Sequence, residues 1–107
     1  MVQKLRVIVR VDLAAGLVMI KALGKLNLHT LIGLYSLIRR TNAIRPGLTV
    51  EVDLRAAAAE ASVLADLRAA CASGRLPDQA DPQQSICRLR ILEPAAEPES
   101  GAVRLTV

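Results

Sequence analysis

Apolar and polar residues alternate at the start of the chain, and this period of two predicts a β-strand over residues 5–13. The apolar positions of that strand are expected to face the core: Leu5, Val7, Val9, Val11 and Leu13. Residues 14–16, Ala-Ala-Gly, are typical of a turn. Residues 17–23 are more continuously apolar, which indicates a second strand, covered on both faces and paired with the first as a hairpin.

From residue 28 the apolar residues recur at spacings of three and four, which predicts an amphipathic helix. Asn27 and Thr30 are both suitable N-cap residues, and either Asn42 or the turn at 45–47 is expected to end the helix. The stripe holds six large apolar residues: Leu31, Ile32, Leu34, Tyr35, Leu37 and Ile38. This is more than one small core needs, so we expect part of the stripe to extend onto a partner.

The rest of the chain predicts strands over residues 48–54 and 85–92, separated by a helix that begins between Arg55 and Ser62 and ends before Gly74. Residues 75–84 and 93–101 are predicted polar loops, and residues 102–107 a short edge strand. The order β-β-α-β-α-β-β requires right-handed crossovers and parallel pairing of the second, third and fourth strands. Residues 1–107 are therefore predicted to form a single α/β domain with a mixed sheet covered by helices.

The net charge of +4 is unevenly distributed along the chain. Residues 1–50 hold eight basic residues against one acidic residue, whereas residues 51–107 hold six against nine. A basic half can meet an acidic protein, a nucleotide or a nucleic acid. The basic residues are scattered, however, and Tyr35 is the one aromatic residue of the chain. A nucleic-acid platform of stacked bases is therefore not expected.

Motifs for catalysis or cofactor binding are not visible in this sequence. Cys71 and Cys87 have no metal-ligand spacing, His29 is the single histidine, and no glycine-rich phosphate loop occurs. We therefore expect no enzyme activity, no cofactor and no metal. The start of the chain lacks the apolar block of a signal peptide, and no apolar run is long enough for a membrane span. With so few cysteines, a cytoplasmic protein is expected.

Three short segments, together with the predicted order of elements, resemble the STAS domain, the family of anti-sigma factor antagonists and of the cytoplasmic tails of sulfate transporters. The segment Gly24-Lys25-Leu26-Asn27 is similar to the family's Gly-basic-Leu-Asp segment before the first helix. The run at 50–54, Val-Glu-Val-Asp-Leu, is similar to its third strand, and the run at 60–64, Glu-Ala-Ser-Val-Leu, occupies the place of its Asp-Ser-Ser-Gly-Leu turn. The resemblance covers residues 5–92 and implies a STAS-like domain.

In the bacterial antagonists the second serine of that turn is phosphorylated by a kinase that is also the anti-sigma factor, and Ser62 occupies its place. From its position alone Ser62 is either a helix N-cap or a surface serine. Asp53 is open to pairing with a basic neighbour, capping the next turn or lining a crevice. Besides the phospho-acceptor candidate Ser62, the expected partner-binding residues are Asn27, His29, Thr30, Asp53, Glu60 and Val63.

Two functions follow from these observations. The first is a regulatory module that docks on a protein partner, an anti-sigma factor or related kinase by resemblance, through residues 27–30 and 60–64. Phosphate on Ser62 would switch that docking. The alternative is a structural or assembly protein that forms a homodimer, through an exposed sheet edge or the apolar face of the first helix.

Overall fold

The computed structural model describes residues 5–44, 47–83 and 85–93. A hairpin of two strands begins the domain, and strands and helices then alternate. The elements in chain order are β1 (Leu5–Asp12), β2 (Leu17–Leu26), α1 (Leu28–Asn42), β3 (Thr49–Asp53), β4 (Ala57–Ala59), α2 (Ala61–Ser73) and β5 (Arg88–Leu92). The predicted edge strand at 102–107, and the loop at 93–101 beyond Glu93, lie outside the described residues.

The strands form one mixed sheet in the order β1-β2-β3-β5. The hairpin β1–β2 is antiparallel, and β3 pairs in parallel with both β2 and β5. The predicted α/β domain with a mixed sheet and parallel central strands is thus confirmed. Because the strand order advances in one direction through right-handed crossovers, both helices lie on the same face of the sheet.

One strand was not expected from the sequence. The sequence predicts that the second helix begins somewhere between Arg55 and Ser62, but residues 57–59 form β4, which pairs in parallel with residues 24–26 of β2. Because it pairs with β4, β2 continues to Leu26 instead of ending at residue 23. Alanine has little intrinsic preference for a strand, so β4 exists because the end of β2 offers it backbone partners.

The core lies between the helices and one face of the sheet. Alternate residues of β2 and β3 are fully buried, and they meet the apolar stripes of α1 and α2. The fully buried residues of these two strands are Val18, Ile20, Ala22, Leu26, Val50 and Val52. The intervening residues of β2 are half-buried or exposed. The prediction that β2 is covered on both faces is therefore wrong.

The expectation that the alternating residues of β1 face a covered core is also wrong, except near Leu5. Val7, Val9 and Val11 lie opposite Ala22, Ile20 and Val18 in the hairpin, so they share the helix-side face. They are nevertheless exposed, as is Leu13 in the turn. The two helices pack over β2, β3 and β5, and β1 is an edge strand beyond them.

The helix boundaries largely follow the predictions. The first helix begins after Asn27 and ends at Asn42, and the second ends at Ser73. Gly74 has a left-handed conformation with φ of 72°, which glycine adopts without steric cost. The strand β5 begins at Arg88, three residues later than the strand predicted over residues 85–92. Within the described ranges, neither helix is long and apolar enough to cross a membrane.

Candidate functional site

The N-terminal turns of the two helices lie side by side at the carboxyl ends of β2 and β4. The backbone N–H of Glu60 donates to the carbonyl of Leu26 at 3.1 Å, which ties the start of α2 to the end of β2. A shallow pocket of about 390 Å³ opens between these strand ends, and Asn27 and Glu60 both line it. Two of the predicted site residues, 33 positions apart in the numbering, are therefore neighbours.

Asn27 and Thr30 form a reciprocal cap on α1. The Oδ1 atom of Asn27 accepts from the backbone N–H of Thr30 at 3.0 Å, and the Oγ1 atom of Thr30 accepts from the backbone N–H of Asn27 at 2.9 Å. This arrangement satisfies two N–H groups that a helix start otherwise leaves unpaired. Asn27 is thus confirmed as the N-cap, and both side chains hold the end of α1 in place beside α2.

The start of α2 is less fully capped. Glu60 is the N-cap residue, but its side chain accepts no capping hydrogen bond. The backbone N–H groups of Ala61 and Ser62 donate to no group in the described part of the chain. Ser62 is exposed on this first turn. Its hydroxyl therefore lies at the positive end of the helix dipole and open to solvent.

Ser62 also lines a groove between the two helices, which we call the α1–α2 groove. The groove has a volume of about 670 Å³ and includes residues of both helices and of the loop that follows α2. On its rim Leu28 and Ile32 are 64% and 70% exposed. The full lining is Leu28, Leu31, Ile32, Tyr35, Ser36, Arg39, Ser62, Asp66, Pro77, Gln79 and Ala80. The surface combines an apolar rim with one cation, one carboxylate and the Ser62 hydroxyl.

A hydrogen bond in the α1–α2 groove joins the two helices. The Tyr35 hydroxyl donates to the Oδ2 atom of Asp66 at 2.6 Å. Burial of the ring, and then the hydrogen bond to the carboxylate, raise the pKa of Tyr35 far above its ordinary value of 10. The sequence reasoning missed this pair and therefore the groove. Nothing in the local pattern relates two residues 31 positions apart.

Asp53 lies away from the groove and is already paired. Its carboxylate accepts from Nε and Nη2 of Arg55, both at 3.0 Å, and from the backbone N–H of Arg55 at 3.0 Å. These hydrogen bonds, with the nearby charge of Lys21, lower the pKa of Asp53 to about 2. Of the three roles open to Asp53, the structure contains the ion pair and the capped turn.

The remaining predicted site residues do not share one surface. His29 is exposed, and with Thr30 it lines a shallow pocket between α1 and β1, away from Ser62. Val63 was expected to contact a partner, but its side chain is fully buried in the core. That expectation is wrong, because the residue after Ser62 on the helix turns inward. Val63 instead anchors the first turn of α2.

The described residues hold few groups suited to covalent or metal chemistry. They contain no cluster of three or more histidine, cysteine or carboxylate side chains that would hold a metal ion. Cys87 is buried, which raises the pKa of its thiol to about 11, and half-burial raises that of Cys71 as well. Thiols of raised pKa are poor nucleophiles at neutral pH.

Comparison with protein-family models, with curated proteins and with solved structures found no match to this chain.

Proposed function

We propose that this chain is a non-catalytic regulatory module that binds a protein partner through the α1–α2 groove, and that phosphorylation of Ser62 weakens this binding. The observation that carries the proposal is the position of Ser62, exposed on the first turn of α2 and lining the groove. A hydroxyl in this position is accessible both to a kinase and to a docked partner.

The unmodified groove is suited to an apolar segment of a partner. Leu28 and Ile32 project from α1 instead of entering the core, and Leu31 and Tyr35 form the floor between them and α2. Burial of exposed apolar side chains is the main favourable contribution to protein association. Arg39 in the same groove supplies a cation for an acidic residue at the edge of the bound segment.

A phosphate on Ser62 would change the charge of this surface without opposing the fold. It adds about 1.5 to 2 negative charges and three acceptor oxygens. The free N–H groups of Ala61 and Ser62 favour a phosphate at the start of α2. Glu60 precedes Ser62, and Asp66 follows it by one helical turn, so the modified rim becomes strongly acidic. An apolar partner would have to desolvate that charge, which disfavours docking.

The resemblance to the STAS domain suggests the kind of partner. The β1–β2 hairpin, the parallel strands that follow it and the serine on the first turn of α2 support that resemblance. By analogy the partner is an anti-sigma factor that is also the serine kinase. A cytoplasmic location belongs to the same proposal, because sigma factors and ATP-dependent kinases act there.

The phosphorylation step is tested by incubating the full chain with ATP and a cytoplasmic extract of its native host, and then mapping phosphopeptides. Pull-downs from the same extract compare wild type, Ser62→Ala and Ser62→Asp. We expect phosphate on Ser62, and a partner retained by wild type and Ser62→Ala but bound at least tenfold less by Ser62→Asp. The matched control is Ser85→Asp, since Ser85 is also exposed but lies outside the groove.

The groove itself is tested by Ile32→Glu, which places a charge on the apolar rim. We expect loss of the partner in the absence of any phosphorylation, whereas Ile86→Glu retains it. Ile86 is a matched control, because it is 71% exposed and does not line the α1–α2 groove. The proposal is wrong if Ser62 acquires no phosphate and Ser62→Asp and Ile32→Glu both bind the partner as wild type does.

A further inference from the structure

The outer edge of β1 is an unusual surface for a small domain. In the described part of the chain β1 pairs with β2 alone, so the backbone groups along its other edge have no strand partner. The side chains of Val7, Ile8, Val9 and Val11 are between 38% and 59% exposed. Edge strands that are exposed, apolar and eight residues long readily pair with another strand.

The two faces of β1 differ in chemistry. Val7, Val9 and Val11 lie on the face that carries the helices, because they are opposite buried residues of β2. Arg6, Ile8, Arg10 and Asp12 lie on the other face. An added strand must therefore offer apolar residues on one face, and on the other face it must meet Arg6 and Asp12 with opposite charges and cover Ile8. A second copy of β1 can do both.

The complementary arrangement is an antiparallel pair of β1 strands related by a two-fold axis that passes between Val9 of one copy and Val9 of the other. Val9 then lies opposite Val9 of the second copy, and Val7 lies opposite Val11. On the other face Arg6 lies opposite Asp12, twice by symmetry, and the stem of Arg10 covers Ile8. Each position of one copy thus meets a residue of suitable chemistry on the other.

Neighbouring registers are less favourable. An axis through Ile8 places Arg6 opposite Arg10 twice, and an axis through Arg10 places that residue opposite itself. A shift by a single residue sets the valine face of one copy against the charged face of the other. We therefore propose that β1 is a homodimerisation edge, at which two copies of this chain join their sheets antiparallel in the register centred on Val9. This inference is independent of the α1–α2 groove and of Ser62.

The dimer and its register are tested together with engineered cysteines in the full chain. Val9→Cys places thiols opposite one another in the two copies, within reach of a disulfide, whereas two Ile8→Cys thiols are displaced along the strands. Under mild oxidation we expect rapid covalent dimerisation of Val9→Cys and little of Ile8→Cys, although Ile8 is the more exposed residue. Peptide mapping distinguishes this bond from bonds to Cys71 and Cys87.

Charge exchange provides a second test without crosslinking. Sedimentation of the wild-type chain over a concentration series should show a monomer–dimer equilibrium. Arg6→Asp and Asp12→Arg should each raise the dissociation constant about tenfold or more, since like charges replace both cross-strand ion pairs. An equimolar mixture of the two variants restores complementary charges and should associate as wild type does. Arg88→Asp makes the same charge change on β5, at the other end of the described strand order, and should leave the dissociation constant unchanged.

The proposal is overturned if sedimentation shows that the wild-type chain stays monomeric at the highest concentration studied. It is also overturned if Ile8→Cys crosslinks as fast as Val9→Cys, or if the mixture of folded charge variants does not restore association. None of these results bears on phosphorylation of Ser62, so failure here is distinguishable from failure of the proposed function.

Discussion

Replacing Tyr35 with phenylalanine removes one hydroxyl from the hydrogen bond that joins α1 to α2. The Asp66 carboxylate then loses a donor at 2.6 Å, but it is only half-buried, so water can take the donor's place. A hydrogen bond of this kind contributes about 1 kcal/mol, which corresponds to about 4 °C in Tm for a domain of this size. We expect Tyr35→Phe to be less stable than wild type by that amount at pH 7, as measured by urea denaturation followed by circular dichroism.

The stability difference should depend on pH with a definite sign. The folded state holds the pKa of Tyr35 above the unfolded value of 10, because burial and Asp66 disfavour the phenolate. The stability from the neutral phenol is therefore fully present below pH 10 and is lost as the pH rises further, by about 1.4 kcal/mol per pH unit. Cysteine ionisation affects both proteins equally. The stability curves of wild type and Tyr35→Phe should thus cross at about pH 11.

The ionisation itself is directly visible, because Tyr35 is the single tyrosine and the chain has no tryptophan. Tyrosinate absorbance should stay low above pH 10 and appear only as the helical signal is lost. In Asp66→Asn the tyrosine should ionise at lower pH than in wild type, yet still above pH 10, since burial is the largest cause of the shift. Ionisation of Tyr35 near pH 10 in a fully folded protein would refute this account of the two helices.

Three further predictions concern the ends and the core of the fold. Asp53→Asn should lose less stability than wild type as the pH falls from 4 to 2. The ion pair with Arg55, which lowers the pKa of Asp53 to about 2, stabilises the wild-type fold above this pH range and is lost within it. Equal acid denaturation curves for the two proteins would contradict this expectation. Asn27→Ala should destabilise the domain by about 1 kcal/mol in urea denaturation through loss of the Thr30 cap, with Asn27→Asp as the nearly neutral control. Leu67→Ala should cost about 2 to 5 kcal/mol, because the side chain is fully buried, and a loss below about 1 kcal/mol would show that α2 packs differently.

Much of the secondary structure was predictable because its signals are local. The period of two predicted β1, the more continuous apolar run predicted β2, an apolar stripe at helical spacing after Asn27 predicted α1, and Gly74 marked the end of α2. β4 was missed, because a run of alanines is compatible with helix or strand and the choice depends on the free edge of β2. The period of two also showed that Val7, Val9 and Val11 of β1 share a face of the sheet, but it could not show whether a helix covers that face.

The candidate site also has some features that the local sequence predicts and others that only the packing of whole elements decides. The sequence by itself indicated that a helix begins between Arg55 and Ser62, because apolar spacing and backbone hydrogen bonding act over a few residues, and the structure begins that helix at Ala61. Only the tertiary structure decided that Ser62 shares a groove with Leu28, Ile32 and Asp66, that Val63 points inward, and that the valines of β1 remain exposed. These outcomes depend on how whole elements pack, and packing joins residues whose separation along the chain leaves no local pattern.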